Sequence, residues 1–127
     1  MKVLPDENLP VKLKYRFSSA LQIYTVNDMK WNSLKNGELL KAISENHFDA
    51  LVTSDKNIIH QHKLSNFSFR FIILNVFDNQ YNTILPLVPI IEQEVLSGIE
   101  QVAHIKSWSH CRHIVKISAQ IILHPLL

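Results

Sequence analysis

The sequence predicts an α/β fold with a mostly parallel central sheet, and three observations predict it. Short apolar runs at 2–5, 50–53 and 70–74 alternate with stretches of helical periodicity, the pattern of a βαβ-type sheet. Ala50-Leu51-Val52-Thr53 is short and almost wholly apolar, which suits a parallel strand covered on both faces. Polar clusters, Asp6-Glu7-Asn8 and Ser54-Asp55-Lys56-Asn57, begin where two of these strands end. Acidic groups beside buried strands are costly to desolvate unless something pairs with them. In an open α/β sheet, the carboxyl edge is also where ligands bind.

The elements follow in order. Lys2 to Leu4 or Pro5 is the first strand, and Asn8 is placed to cap a helix with Pro10 in its first turn. Leu9, Leu13 and Phe17 give that helix a buried side. Leu21 to Val26 is rich in β-branched and aromatic residues and reads as a second strand. Residues 27–36 form a polar loop, a candidate substrate-contacting surface. Glu38 opens the next helix, with Leu39, Leu40, Ile43 and Phe48 facing inward and Asn46-His47 ending it. The strand 50–53 and a helical turn at Ile58-Ile59 come next, then the strand Arg70 to Leu74. Tyr81 to Leu96 reads as a helix restricted by Pro86 and Pro89, with Gly98 as its stop. From about Val102 the character changes, and 113–117 and 120–123 read as a hairpin turning near Ser118.

Length and composition bound the function. A chain of 127 residues supports one domain, residues 1–127, with 102–127 as a strand-rich extension. With 46% hydrophobic and 19% charged residues it reads as globular, and a net charge of +2 is far from that of a polycationic nucleic-acid binder. Local charge is less even. Lys12, Lys14 and Arg16 flank the first acidic cluster, and Lys56 and Lys63 flank the second, which suits a phosphate-bearing substrate or a solvated face. A single cysteine, Cys111, excludes an internal disulfide framework and points to a reducing compartment. Neither a signal-peptide pattern nor a membrane-span run is present, so the expected location is the cytoplasm, without a membrane partner.

Three carboxylates carry the candidate chemistry: Asp6 and Asp55 at strand ends, and Glu38 at a helix start. Parallel strands bring their carboxyl ends to one edge, where helix starts also gather, so the three can converge. Hard oxygen ligands suit Mg²⁺ or Mn²⁺, which keep several waters and contact substrate phosphates. The plainer reading stays open beside it. Asp6 is equally a turn former or helix cap, and Glu38 complements a helix dipole.

Other residues carry less. His60 and His62, two apart, fall on different sides of a helix; His110, Cys111 and His113 lie close together, but zinc sites need three or four ligands at recognisable spacing. Trp31 and Trp108 are core residues or base-stacking surfaces. Cys111 has no acid–base constellation around it. Two glycines in the whole chain leave no phosphate-cradling loop, which excludes a Rossmann or P-loop nucleotide site.

Lys2-Val3-Leu4-Pro5-Asp6-Glu7-Asn8-Leu9-Pro10 resembles the opening of small PIN-like proteins, relatives of VapC-type toxin ribonucleases, in which an apolar strand runs into Asp-Glu-Asn-Leu. Ala50 to Asn57 resembles the family's second signature, a strand followed by Thr-x-Asp-Lys-Asp. Glu38-Leu39-Leu40 resembles its acidic helix start, and Ile122-Leu123-His124-Pro125-Leu126 its terminal strand. The likeness spans nearly the whole chain.

The resemblance implies a PIN-like three-layer fold with a C-terminal β-hairpin extension. It implies a metal-dependent endoribonuclease, the toxin of a toxin–antitoxin pair, using Mg²⁺ or Mn²⁺ on RNA and restrained by a protein antitoxin. Asp6, Glu38 and Asp55 would hold the metal with help from Asn57, and Lys56 would lie near substrate phosphate or balance the acidic cluster. Gly37 stands where the family's helix has Asp, and Asn57 stands where its signature has a second Asp. These departures favour the alternative, a catalytically degenerate module that binds RNA or a protein partner. The apolar tail with Trp108 makes a homodimer a further expectation.

Overall fold

β1 (Lys2–Pro5) lies between β2 (Gln22–Ile23) and β3 (Ala50–Thr53), so successive crossovers leave β1 on opposite sides. β4 (Arg70–Asn75) and β5 (Val102–Lys106) continue beyond β3, and these five strands are all parallel. The computed structural model describes residues 1–106 and the backbone of β6 (Cys111–Ile117) and β7 (Gln120–Pro125). β7 pairs parallel with β5, and β6 pairs antiparallel with β7, giving the order β2-β1-β3-β4-β5-β7-β6. The antiparallel β6–β7 pair matches the expected terminal hairpin. Trp108, His110 and the turn near Ser118 lie outside the described residues, as do the side chains of Cys111 and His113.

Strand alternation divides the core into two layers. Val3, Val52, Ile72, Leu74 and Ile105 face one cluster, completed by α3 (Tyr81–Ile84) and α4 (Val88–Ser97). Leu4, Leu51, Phe71 and Ile73 face the other, which takes Leu40 and Ile43 from α1 (Asn36–Glu45) and Ile58 from α2 (Ile58–Gln61). The result is a three-layer arrangement with helices on both faces of a parallel sheet, as the apolar run at 50–53 predicts. Phe71, Ile72 and Ile73 are all 0% exposed, which shows that β4 is covered on both sides. Each such side chain contributes about 1.5–3 kcal/mol of burial.

Several local expectations are corrected. The segment after Asp6 is not an α-helix capped by Asn8. It is a six-residue 3₁₀ turn, Val11–Arg16, preceded by Pro10 and without a side-chain cap. β2 contracts to two residues because it pairs only with the start of β1. The helix expected over 81–96 is split: α3 gives way to a 3₁₀ turn, Leu85–Leu87, before α4 begins. Pro86 has no N–H to continue the ladder, whereas Pro89 sits in the first turn of α4, where none is needed. The 102–106 stretch is a full strand of the parallel sheet, between β4 and β7. No helix among the described residues is long and apolar enough to cross a membrane.

Candidate functional site

The reversal of strand order at β1 creates a crevice beyond the carboxyl ends of β1 and β3, the position at which open α/β sheets bind ligands. Register places Pro5 opposite Val52, and the Asp6 N–H extends the ladder by donating to the Val52 carbonyl at 2.8 Å. Asp6 is therefore fixed to the end of β3 as well as β1.

Each acidic cluster folds into an Asp-x-Asn turn. The Asp6 Oδ1 accepts the Asn8 N–H at 3.2 Å, and the Asp55 Oδ1 accepts the Asn57 N–H at 3.0 Å. Aspartate at the first position favours such turns because its carboxylate mimics a backbone carbonyl. Thr53 joins the two turns. Its hydroxyl donates to Asp6 Oδ2 at 2.6 Å, and Thr53 Oγ1 in turn accepts the Asp55 N–H at 3.0 Å. Thr53 is 0% exposed, so this bridge is sheltered from water on the threonine side.

Asp6 and Asp55 are half-buried and line one polar hollow of about 50 Å³, enough for a few waters or a partly hydrated cation. From α1 the hollow receives Asn36 and Leu39, and from the loop before it Trp31 and Leu34. Trp31 also packs edge-on against Phe48, with ring centroids 5.9 Å apart, so it serves the core and the hollow at once.

The sequence-predicted residues divide accordingly. Asp6 and Asp55 are brought together. Glu38 is exposed in the first turn of α1 and is not among the residues lining the hollow. Successive helical residues turn by about 100°, which sets Glu38 off the face carrying Asn36 and Leu39. Lys56 and Asn57 are exposed, and the contact Asn57 makes with Asp55 comes from its backbone N–H rather than its amide. Asn36 and Thr53 were not singled out from the sequence. Thr53 carried one legible signal, a hydroxyl at the last position of an otherwise apolar strand.

The basic residues beside the first cluster also divide. Lys14 donates to Asp28 Oδ2 at 2.7 Å, and Arg16 donates to the Tyr81 hydroxyl at 2.6 Å, while Lys12 is exposed. The hydrogen bonds from Lys14 and from the Thr25 N–H hold the Asp28 carboxyl below its ordinary value, and Asp28 in turn raises Lys14. Among the histidines, burial lowers His104, reinforced by Lys106 and His60.

Among the described residues, no three His, Cys, Asp or Glu side chains gather to hold a metal. The donor set is thus the half-buried carboxylates of Asp6 and Asp55, with the exposed Glu7 carboxylate and the Asn8 and Asn36 amides on the same lining. It does not fit a closed cage or a soft metal. It fits Mg²⁺ or Mn²⁺ bound through one or two carboxylates, with water and phosphate completing the shell. No family model matches the chain, and neither a curated protein nor a solved structure matches it.

Proposed function

We infer that this chain is a metal-dependent endoribonuclease of the PIN-like class, the toxin of a toxin–antitoxin pair. The observation that carries the reading is the placement of Asp6 and Asp55 on either side of the strand-order reversal, coupled through Thr53. Asp6 and Asp55 would hold Mg²⁺ or Mn²⁺. When bound, such an ion supplies an activated water and neutralises charge on the cleaved phosphodiester. Thr53 keeps the Asp6 carboxylate aimed at the hollow, and the Asp-x-Asn turns fix both aspartates without consuming every lone pair. Lys12 and Lys56, both exposed, supply positive charge for the RNA backbone. A protein antitoxin, a cytoplasmic location and a homodimer belong to the same reading.

A second reading has its own observation. Only two half-buried acids, Asp6 and Asp55, share the hollow with an exposed Glu7, and Glu38 and Asn57 add no side chain to its lining. That favours a module that binds RNA or a protein partner without cleaving. Incubating a mixed RNA pool with the native protein and an Asp6→Asn/Asp55→Asn variant, in Mn²⁺ and in chelator, separates the two. Cleavage by the native protein alone, abolished by chelator, supports the nuclease. Intact RNA in every lane with RNA or protein binding retained supports the module, and equal cleavage by both proteins removes the site.

A further inference from the structure

Beside the carboxylate hollow lies a second, larger cavity of about 240 Å³. One wall runs from the end of β1 into the 3₁₀ turn, and the other is the loop that follows β2. Its floor is apolar, with Leu9 4% and Val26 2% exposed, and its rim carries the exposed amides of Asn27 and Asn32. The two walls are tied together. Lys14 bonds Asp28 at 2.7 Å, and the same carboxylate oxygen accepts the Thr25 N–H at 3.0 Å. The cavity is therefore formed before any ligand arrives, which lowers the ordering cost of binding.

Its size and chemistry restrict the occupant. It is smaller than the ~300–1,000 Å³ of clefts that enclose a whole drug-sized ligand. It suits one planar ring system, with the remainder of the ligand outside. The cavity shares Asp6, Glu7 and Val26 with the smaller hollow, so a ring seated there brings its attached sugar and phosphate beside Asp6. Carboxylate oxygens accept from an exocyclic amino group, and an asparagine amide pairs with the N6 amino and N7 of adenine. Uracil has no exocyclic amino group to offer them.

The geometry points to a nucleobase subsite that takes an amino-bearing base, adenine before uracil, next to the place where a divalent cation on Asp6 and Asp55 would meet the phosphate. This assignment rests on the ribonuclease reading for its choice of RNA as ligand. It gives the site a sequence preference without a dedicated recognition domain, because base selection and phosphate positioning share one wall.

The test uses adenosine and uridine 5′-monophosphates, which contain no phosphodiester to cleave, in ¹⁵N-resolved NMR titrations of the full chain. The expected result is shifts centred on Leu9, Val11, Asn27 and Asn32, with the adenine nucleotide bound about tenfold tighter. An Asn27→Ala/Asn32→Ala variant should bring the two nucleotides within about twofold. Both positions are exposed, so folding is expected to survive, and a Val11→Phe variant that narrows the mouth gives an independent check. Equal binding of the two nucleotides, or shifts lying elsewhere, overturns the subsite. Cleavage of the mixed RNA pool is scored separately. Base-selective binding without cleavage retains the subsite and rejects the nuclease, whereas cleavage without base-selective binding retains the nuclease and rejects the subsite.

Discussion

The Thr53 hydroxyl donates to the Asp6 carboxylate at 2.6 Å, joining two residues 47 apart in the chain at the ends of neighbouring strands. Thr53 Oγ1 in turn receives the Asp55 N–H, so a single buried side chain sets the relative position of both aspartates. Thr53→Val keeps the shape and removes the bridge. Hydrogen bonds to charged groups contribute about 1.5–3 kcal/mol, and a loss in this range is expected in urea unfolding. Outer-shell partners of metal ligands typically change affinity by about 10–100-fold, so Mn²⁺ affinity should fall on that scale. Thr53→Ser, which retains the hydroxyl, should recover most of it; failure of that rescue would mean that packing, not the hydrogen bond, matters.

Arg70 and Glu94 should prove structural. Their side chains are 15% and 1% exposed and meet at 2.5 Å, with Arg70 also donating to the Glu94 carbonyl at 2.5 Å and to the Glu100 carbonyl. Arg70→Met leaves a buried carboxylate without this partner, and such losses cost about 3–5 kcal/mol. Gly98 belongs to the same cluster, because a Cβ there would lie 2.7 Å from Arg70 Nη2 and 2.6 Å from the Glu94 carbonyl oxygen. Gly98→Ala should therefore also lower Tm. Arg70 starts β4 at the opposite edge from the aspartates, so Mn²⁺ affinity of the folded Arg70→Met protein should match native.

The Lys14–Asp28 tie sets a pH window. Asp28 has a depressed carboxyl value, so its contribution is present above the ordinary carboxylate value and is lost as pH falls through the depressed one. Lys14 is raised, so its contribution is present below the ordinary ammonium value and is lost as pH rises through the raised one. The difference in Tm between native protein and Asp28→Asn should be widest between those limits and close towards strong acid and strong base. Both side chains are about a third exposed, at 30% and 35%, so added salt should narrow it throughout.

Gly37 offers a gain-of-function test. A Cβ built there meets only an ordinary contact, His62 Cε1 at 3.9 Å, so a side chain fits. Gly37→Asp removes a flexible residue from the first turn of α1 and adds negative charge at its amino end. Together these should stabilise the protein by about 0.5–1 kcal/mol in urea unfolding. A carboxylate adjoining Asn36 should also tighten Mn²⁺ binding severalfold. Unchanged affinity would show that position 37 does not reach the site.

The parallel sheet and the two aspartates were legible because local pattern and global role coincide. Ala50 to Thr53 is apolar because both faces are covered, and each Asp-x-Asn turn stands where a strand must stop. Residues whose role depends on tertiary phase were not legible. Glu38 and Asn36 sit in the same first turn of α1, and only the rotation of the helix against the sheet decides that Asn36 meets the hollow. The strand at 102–106 was hidden because its outward-facing positions are His104 and Lys106, which interrupt the apolar run of a central strand. The Arg70–Glu94 pair joins residues 24 apart, which no local spacing reveals.

The central claim is that Asp6 and Asp55 form one divalent-cation site. The most direct measurement is a Mn²⁺ titration followed by electron paramagnetic resonance on native protein, Asp6→Asn and Asp55→Asn. The predicted result is one bound Mn²⁺ per native chain, with each single substitution weakening it by at least about tenfold. Native-like Mn²⁺ binding in either variant would contradict the claim.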